Sequence, residues 1–468
     1  MSDIVGILER ELGAGAIVGP GHARLDDYGR DESPLPIFYP PECAALCATT
    51  EQVAAVLRIC AERNVPVTPR GAGSGMCGGA LPVAGGVVLS TERMRRLIDI
   101  DEPDLLCVTE PGVITGQLQE AVEAQGLFYP PDPASLDMCS IGGNAATNAG
   151  GPRAFKYGVT REYVLGLEVV LMGGEVLRCG RRTAKGVTGY DLVAGFVGTE
   201  GTFGVITELT LKLLPRPQAA ATVLGVFADA AGAGSAITSL LRSGLRPRVL
   251  EIADKASIDV IRPKSRYRFP ANAGAIVLLE VDGEADAMPG EMERIGMAFD
   301  TLGALDVLAA TEAHERANVW EARRLISRAL SDSYRIKVNE DVCVPRGRIV
   351  EMLARVAQVS AETGIETAVF GHAGDGNLHV NLLSQDDPED PAVRDRMWAG
   401  AKQVFAHAIA LGGTLSGEHG IGLTKRDYMP MEQSEQLLEW QRKWKQLWDP
   451  RGLLNPGKVI PGRRACSE

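Results

Sequence analysis

Positive charge is short in this chain. Its 468 residues carry 48 Lys and Arg against 60 Asp and Glu, a formal net charge of −12, with no long basic run. Binding to a nucleic acid is driven by clustered cations on phosphates, so that balance argues against one as the main partner. It leaves small anionic ligands open, because they respond to local charge. Long apolar runs are also missing. None reaches the roughly 18 residues of a membrane-spanning helix. The opening M-S-D-I-V-G-I-L-E-R-E-L carries acids within it and has no signal-peptide pattern. It predicts an amphipathic helix and a cytoplasmic protein, with peripheral attachment to the inner membrane left open. The nine cysteines include no C-x-x-C pair. They read as reduced thiols, not as a disulfide frame or an iron–sulfur site. Internal repeats at solenoid spacing and low-complexity segments are absent too.

What is abundant is glycine, at 54 residues, much of it in clusters. Gly71-A-G-S-G-M-C-G-G-A-L-P82 contains a formal G-x-G-x-x-G. A dinucleotide site of the Rossmann kind needs a helix to open directly after it. Here Gly79, Pro82, Gly85 and Gly86 follow instead, and then a strand-like G-V-V-L-S. The physical content survives that rejection: successive small residues expose backbone N–H groups, and such a nest binds phosphate oxygens without a helix. Tyr129-P-P-D-P-A-S135 and Ile141-G-G-N-A-A-T-N-A-G-G151 have almost no bulky side chains. They predict irregular backbone that lies flat against a large planar ligand. Val197-G-T-E-G-T-F-G204 precedes a strand, Val205 to Leu213, in which Val205, Leu209, Leu211 and Leu213 share one face.

Histidine is scarce, six in all, and three sit in two glycine-rich loops. Gly371-H-A-G-D-G-N-L-H-V-N381 predicts a hairpin, with G-D-G-N tolerating positive φ at the turn. His372 and His379 then approach each other on paired strands. Two imidazoles on a stiff support are half of a metal site. Ser416-G-E-H-G-I-G422 offers Glu418 and His419, one for a metal and the other for a substrate. Taken alone, two histidines seven apart are more often ordinary turn and core residues.

The length suits two or three domains. A helix is predicted over Glu51 to Arg63, capped by Thr49 or Thr50, and another over Gly116 to Gln125. Pro215 and Pro217 mark a boundary. Beyond it, strands over Thr222 to Phe227 and Ala275 to Val281 alternate with helices over Ala236 to Arg242, Glu291 to Leu302 and Glu312 to Leu330. Lys337 to Val344 reads as a strand, and Gly347 to Thr363 and Ala392 to Leu411 as helices. A final helix, Ser434 to Trp448, carries Trp440, Trp444 and Trp448 at spacing four, a stripe that predicts core packing.

Six motifs in order carry a resemblance: P-R-G-A-G-S-G with G-G-A-L-P (69–82), P-D-P-A-S with S-I-G-G-N-A-A-T-N-A-G-G (131–151), G-T-E-G-T-F-G-V-I-T (198–207), G-H-A-G-D-G-N-L-H, S-G-E-H-G-I-G and D-P-R-G-L-L-N-P-G-K. From about Tyr28 to Pro461 the chain resembles the FAD-linked D-2-hydroxyacid dehydrogenases. That group holds the glycolate oxidase catalytic subunit, D-lactate dehydrogenases and D-2-hydroxyglutarate dehydrogenase, within the vanillyl-alcohol-oxidase superfamily.

The resemblance implies an α+β flavoprotein: a lead-in (1–38), an FAD-binding domain (39–217), an antiparallel α+β substrate or cap domain with the metal site (218–425), and a helical segment (426–468) returning to the FAD domain. It implies FAD held by Pro69, Arg70, Gly71, Ala72, Gly73, Ser74 and Gly75 at the pyrophosphate. Pro131, Asp132, Ser135, Gly142, Gly143, Asn144, Thr147, Asn148, Glu200, Gly201, Gly204 and Ile206 would line its other parts, with Asn455 from the tail. Some relatives attach FAD through a histidine; none lies between His22 and His314, so noncovalent FAD is expected. By the same resemblance His372, His379 and Glu418 are ligands of a divalent metal, zinc first and manganese second, and His419 is the catalytic base. Arg323 matches a carboxylate-binding arginine. Lys337 matches a second cation of the hydroxyglutarate and some lactate members, Ser327 stands where some relatives have Thr, and Asn381 joins the substrate contacts. The implied reaction oxidises a small D-2-hydroxy acid of the lactate or glycolate type to the 2-oxo acid. The metal assists loss of the hydroxyl proton, and the hydride goes to flavin N5. The electron acceptor is a flavoprotein, a quinone or an iron–sulfur partner subunit, and a homo-oligomer is left open. Alternatives are a D-2-hydroxyglutarate dehydrogenase, a noncatalytic FAD-binding electron-transfer subunit and a metal-independent flavin oxidase.

Overall fold

The computed structural model describes residues 3–34 and 37–462; residues 1–2 and 35–36 of the expected lead-in and 463–468 of the expected C-terminal segment lie outside the described residues. The chain divides into two compact units. Residues 1–150, 159–216 and 418–468 form the first, and 151–158 with 217–417 the second.

In the first unit β1 (Ile17–Val18), β2 (Cys43–Leu46), β3 (Val67–Arg70) and β4 (Val87–Ser90) make one sheet in the order β1-β2-β4-β3. Strands β2 and β3 both run parallel to β4. Parallel neighbours need a crossover, and the helix Thr50–Arg63 connects β2 to β3. Thr49 caps it by accepting from the Gln52 N–H, and Asn64 ends it in the left-handed conformation at φ 57°. Its buried face is Val53, Val56, Leu57, Ile59 and Cys60, the stripe that a period of 3.6 predicts. A second, antiparallel sheet holds β5 (Leu97–Asp101), β6 (Leu106–Thr109), β8 (Val164–Val170), β9 (Val176–Gly180) and β10 (Val205–Lys212) in the order β5-β6-β10-β8-β9. Short β7 (Leu127–Phe128) pairs with β11 (Leu214–Pro215). Leu453 and Leu454 of the tail join the core of this unit, and Leu454 bridges to Val67 of β3.

Two expectations fail here. The tract from Ile141 is not flat loop up to Thr147: Ile141–Thr147 is helical, capped by Ser140. Its glycines serve approach, since a Cβ on Gly142 would stand 2.4 Å from Pro111 Cβ. Tertiary closeness overrides the low helix propensity of two glycines. The tryptophan stripe is not core either. On the helix Glu435–Trp448, Trp440 is 62% exposed and Trp444 47% exposed. Trp448, half-buried, lies 4.8 Å from Phe196 and 6.4 Å from Phe203 between ring centroids. The buried side of that helix is Leu438, so the apolar spacing of four falls across the boundary between the packed and the solvent side.

The second unit is built on a seven-stranded, fully antiparallel sheet. Its strands are β12 (Ala219–Phe227), β13 (Val249–Asp254), β14 (Ala275–Gly283), β15 (Asp306–Ala310), β16 (Ile336–Cys343), β17 (Glu366–His372) and β18 (Asn377–Ser384). Their order is β15-β12-β14-β13-β17-β18-β16. Alternation along each strand and the observed registers put Glu251, Ala253, Phe370, His372, His379, Asn381, Leu383, Lys337, Asn339 and Asp341 on one face. The helices Lys255–Ile261 and Ala313–Ser333 cover that face through Ile258, Ile261, Val319, Ala322, Ile326, Ala329 and Leu330. On the opposite face Gly225 and Leu382 lie against Phe299 and Gly400 of the helices Met288–Thr301 and Pro391–Ala410. Strands β13 and β15 are absent from the sequence-based expectation. The V-L-E-I-A run is short, and its central acid reads as solvent-facing.

Candidate active site

In the first unit, β3 ends at Arg70 and the chain bends through Gly71 to Gly75. Among the described residues, the backbone N–H groups of Gly71, Ala72, Gly73, Ser74 and Gly75 donate to no protein acceptor. The Arg70 side chain folds beneath the bend, where it donates to the Arg30 carbonyl at 2.6 Å. A Cβ on Gly73, at φ +75°, would stand 2.0 Å from Arg70 Nη2, so only glycine lets the guanidinium lie there. A run of unspent N–H groups beside a half-buried cation is a fitting nest for phosphate oxygens.

Gly143 and Gly201, two other expected cofactor residues, lie beside this segment. A Cβ on Gly71 would meet Ser140 Oγ at 2.6 Å and Gly143 at 3.7 Å, and one on Gly201 would meet Pro69 at 3.2 Å. Gly142, Gly143, Asn144 and Thr147 lie on the Ile141–Thr147 helix. Asn144 Nδ2 is held by Thr115 Oγ1 at 2.7 Å, and Thr147 Oγ1 by the Gly143 carbonyl at 3.2 Å. Asn148, Glu200 and Asn455 adopt positive φ (54°, 52° and 45°), a conformation that costs free energy and clusters at functional sites. Asn455 Nδ2 donates to the carbonyls of Glu200 (2.7 Å) and Gly79 (3.0 Å), tying the tail to two glycine-rich tracts. Pro131 is buried and its carbonyl accepts from Gln119 Nε2 at 2.8 Å; Asp132 and Ser135 are half-buried beside it. Gly204 packs on Val169, and Ile206 pairs with Val169 across β10 and β8.

The carboxylate of Glu200 is spent inside the protein. It accepts from the N–H groups of Ile421 and Gly422. Burial raises its pKa against those two bonds. Burial likewise lowers Lys458, whose ammonium donates to the Leu81 carbonyl, to about 8. The Leu423 N–H donates to the Cys77 carbonyl at 2.6 Å. Half-buried His419 therefore rides on a loop clamped at Glu200 and Cys77.

In the second unit the hairpin β17–β18 forms as its turn residues predict. Its connection is Ala373 to Gly376, with Gly376 at φ +87°. His379 stands opposite Phe370 and His372 opposite Asn377, so the two histidines are diagonal neighbours on one face. Their ring centroids are 5.2 Å apart at 88°. A register slip of one residue would turn one of them to the other face. His372, His379 and Glu418 each offer one ligand atom, all within 4.8 Å of one another. Glu418 follows directly on Gly417, the last residue of the second unit. Gly417 stands against Asn377 of β18, and Ser416 Oγ donates to the buried Asp341 at 3.0 Å. Two imidazoles and a carboxylate form a donor set that suits zinc or manganese.

The helix Ala313–Ser333 brings Arg323 and Ser327 to the same face. Arg323 is not a surface arginine, since its side chain is 12% exposed. Its guanidinium lies 4.4 Å from the Phe370 ring centroid, and Nε donates to Glu251 Oε2 at 2.7 Å. Among the described residues its two terminal nitrogens have no protein acceptor. Lys337 Nζ, whose pKa burial lowers, donates to Ser327 Oγ (2.9 Å) and the Ser327 carbonyl (3.1 Å). Fully buried Asn381 donates to the carbonyls of Ala368 and His379, and among the described residues its Oδ1 has no partner.

Glu251 is the residue that sequence reasoning missed. It is 1% exposed, and its other oxygen, Oε1, meets His372 Nδ1 at 2.5 Å. Burial works to raise its pKa, but His372 and Arg323 outweigh burial and hold it below the ordinary range. A lone acid among V-L-E-I-A apolar neighbours was the available signal.

Comparison with known proteins identifies the family of the chain. A family described as FAD linked oxidases, C-terminal domain, matches residues 216–459, and one described as FAD binding domain matches 41–180. Glycolate oxidase subunit GlcD of Bacillus subtilis (strain 168) is 38% identical over 420 residues, 90% of this chain and 89% of that protein. D-lactate dehydrogenase of Anaerostipes hadrus is 34% identical over 441 residues, 93% and 92% of the two chains. D-lactate dehydrogenase of Archaeoglobus fulgidus is 36% identical over 441 residues, 93% and 96%. Among solved structures, 4-ethylphenol oxidase from Gulosibacter chungangensis superposes with a TM-score of 0.78 at 19% identity, covering 98% of this chain and 97% of that one, a likeness of fold.

Proposed function

Since the chain belongs to the FAD-linked oxidase family, in the group of glycolate oxidase subunits and D-lactate dehydrogenases on the vanillyl-alcohol-oxidase-type fold, we propose that this FAD-dependent oxidoreductase oxidises a small D-2-hydroxy acid to the 2-oxo acid. The observation that carries the reading is Arg323. It is a nearly buried guanidinium, anchored through Nε, with its two terminal nitrogens unspent among the described residues, on the face that holds His372 and His379. Such a fork grips a carboxylate through two parallel hydrogen bonds and fixes which side of the neighbouring carbon is presented.

In this reading 39–217 with 426–468 bind FAD and 218–425 bind the acid. The Gly71–Gly75 nest holds the pyrophosphate through backbone N–H groups. His372, His379 and Glu418 would hold a divalent metal. The chemistry that such an ion would supply there is a lowered pKa for an alcohol oxygen. Noncovalent FAD supplies the hydride acceptor. His419 takes the hydroxyl proton as general base. Asn381 Oδ1 offers an acceptor. The electrons leave to a flavoprotein, a quinone or an iron–sulfur partner subunit, a reading supported by relatives that are themselves named as subunits. Among the described residues no helix is long and apolar enough to cross a membrane.

A second substrate reading rests on Lys337. Ser327 takes two of its N–H groups, and the third suits the far carboxylate of a diacid such as D-2-hydroxyglutarate.

The test is the visible spectrum of the purified protein under anaerobic conditions, before and after D-lactate, glycolate or D-2-hydroxyglutarate. Bleaching of the flavin band by one of them supports the reading and ranks the acids. A flavin that none bleaches, even with zinc or manganese added, favours an electron-transfer subunit. Turnover that survives chelation and reduces oxygen fast favours a metal-independent oxidase.

A further inference from the structure

A carboxylate in an apolar sheet face is costly unless both of its oxygens are occupied. Glu251 lies on β13 among Val249, Ala253, Leu278 and Phe370, all in the core under the helix Ala313–Ser333. Its oxygens face two different residues: Oε1 meets His372 Nδ1 at 2.5 Å, and Oε2 accepts from Arg323 Nε at 2.7 Å. A structural ion pair would need only one of these.

We propose that Glu251 is a positioning residue that sets the candidate metal ligand His372 and the candidate carboxylate fork Arg323 together. The proposal rests on the reading given under Proposed function. With Nδ1 engaged by Glu251, the nitrogen His372 can offer to a cation is Nε2, and the bond fixes both tautomer and ring orientation. The same carboxylate holds Arg323 by its inner nitrogen, which turns the two terminal nitrogens outward as a pair. One side chain therefore couples metal affinity to substrate affinity. A glutamine there keeps a single acceptor oxygen. If its amide faces His372, it donates to Nδ1, the ring proton moves to Nε2, and that nitrogen cannot coordinate. If it faces Arg323, two donors oppose each other and the fork loses its anchor.

The experiment uses the full-length, FAD-loaded protein and its Glu251→Gln variant. Zinc affinity is measured by competition with a chelator, and KM and kcat are measured with the acid that bleaches the wild-type flavin. Expected is a fall of about 10–100-fold in zinc affinity, a raised KM, and FAD content unchanged. Glu251→Asp serves if Glu251→Gln does not fold: it keeps the charge but is one methylene too short to span both partners, and the same two quantities should move. Zinc binding that wild type shows and His372→Ala removes, but that Glu251→Gln leaves intact together with KM, overturns the role of Glu251 and spares the metal reading. Wild-type protein that binds no zinc through His372 overturns both.

Discussion

Glu200 holds Ile421. Its buried Oε1 takes the Ile421 backbone N–H at 2.7 Å, and Oε2 takes that of Gly422 at 2.8 Å, two and three residues beyond His419. Glu200 keeps this position at φ +52°. Hydrogen bonds to a charged acceptor are worth about 1.5–3 kcal/mol each. Glu200→Gln turns a donor toward one of the two N–H groups. It should cost about 2 kcal/mol in urea unfolding and lower turnover about tenfold through the loosened His419 loop. Unchanged turnover would show that this clamp is structural alone.

His419→Asn should retain FAD and lose hydroxy-acid turnover by about 10²–10⁴-fold, the usual contribution of a positioned base. Flavin absorbance and steady-state rates read the two quantities separately. Near-normal turnover would remove His419 from the role.

Gly376 closes the hairpin that sets the two histidines. At φ +87°, a Cβ there would stand 1.9 Å from the Val344 carbonyl. Gly376→Ala should destabilise the protein by more than about 1 kcal/mol and reduce bound zinc at a fixed free concentration. A melting temperature equal to wild type would mean that the turn relaxes at no cost.

Lys458 is buried, and its pKa of about 8 lies below the ordinary 10.5. Below pH 8 it is charged in both the folded and the unfolded chain, and burial penalises the folded form. Above 10.5 it is neutral in both, and the penalty is gone. Between them the unfolded chain binds more protons, so stability rises with pH by at most about 3 kcal/mol. Denaturant unfolding at pH 7.5 and pH 10 should show this rise as the difference between wild type and Lys458→Met; equal slopes would refute it.

Trp440 and Trp448 share one helix but not one environment. Trp440→Ala, at an exposed position, should change stability by no more than about 0.5 kcal/mol. Trp448→Ala loses its packing on Phe196 and Phe203 and should cost about 2–3 kcal/mol. Similar losses for both would mean that Trp440 is covered in solution.

Much of the fold and half of the site were legible because their causes are local. Thr49 and Asn64 bound a helix whose apolar stripe is visible at a period of 3.6. The G-D-G-N turn and the alternation on either side of it suffice to bring His372 and His379 to one face, since a strand has a period of two and the turn length sets the register. A run of small residues at 71–75 announces exposed N–H groups whatever packs beneath them.

What the tertiary structure alone decided is which distant groups share those local platforms. Glu251 is 121 residues from His372 and 72 from Arg323, and no periodicity links them; they meet because β13 happens to lie between β14 and β17 and a helix crosses above. The same holds for Ile141–Thr147, where the close approach to Pro111 makes a helix of a tract that propensity reads as loop, and for Trp440, which a helical period marks as apolar but which stands 62% exposed. Short-range sterics write turns, caps and faces into the sequence. The free energy of burying a carboxylate or a ring depends on partners that only the assembled sheet supplies.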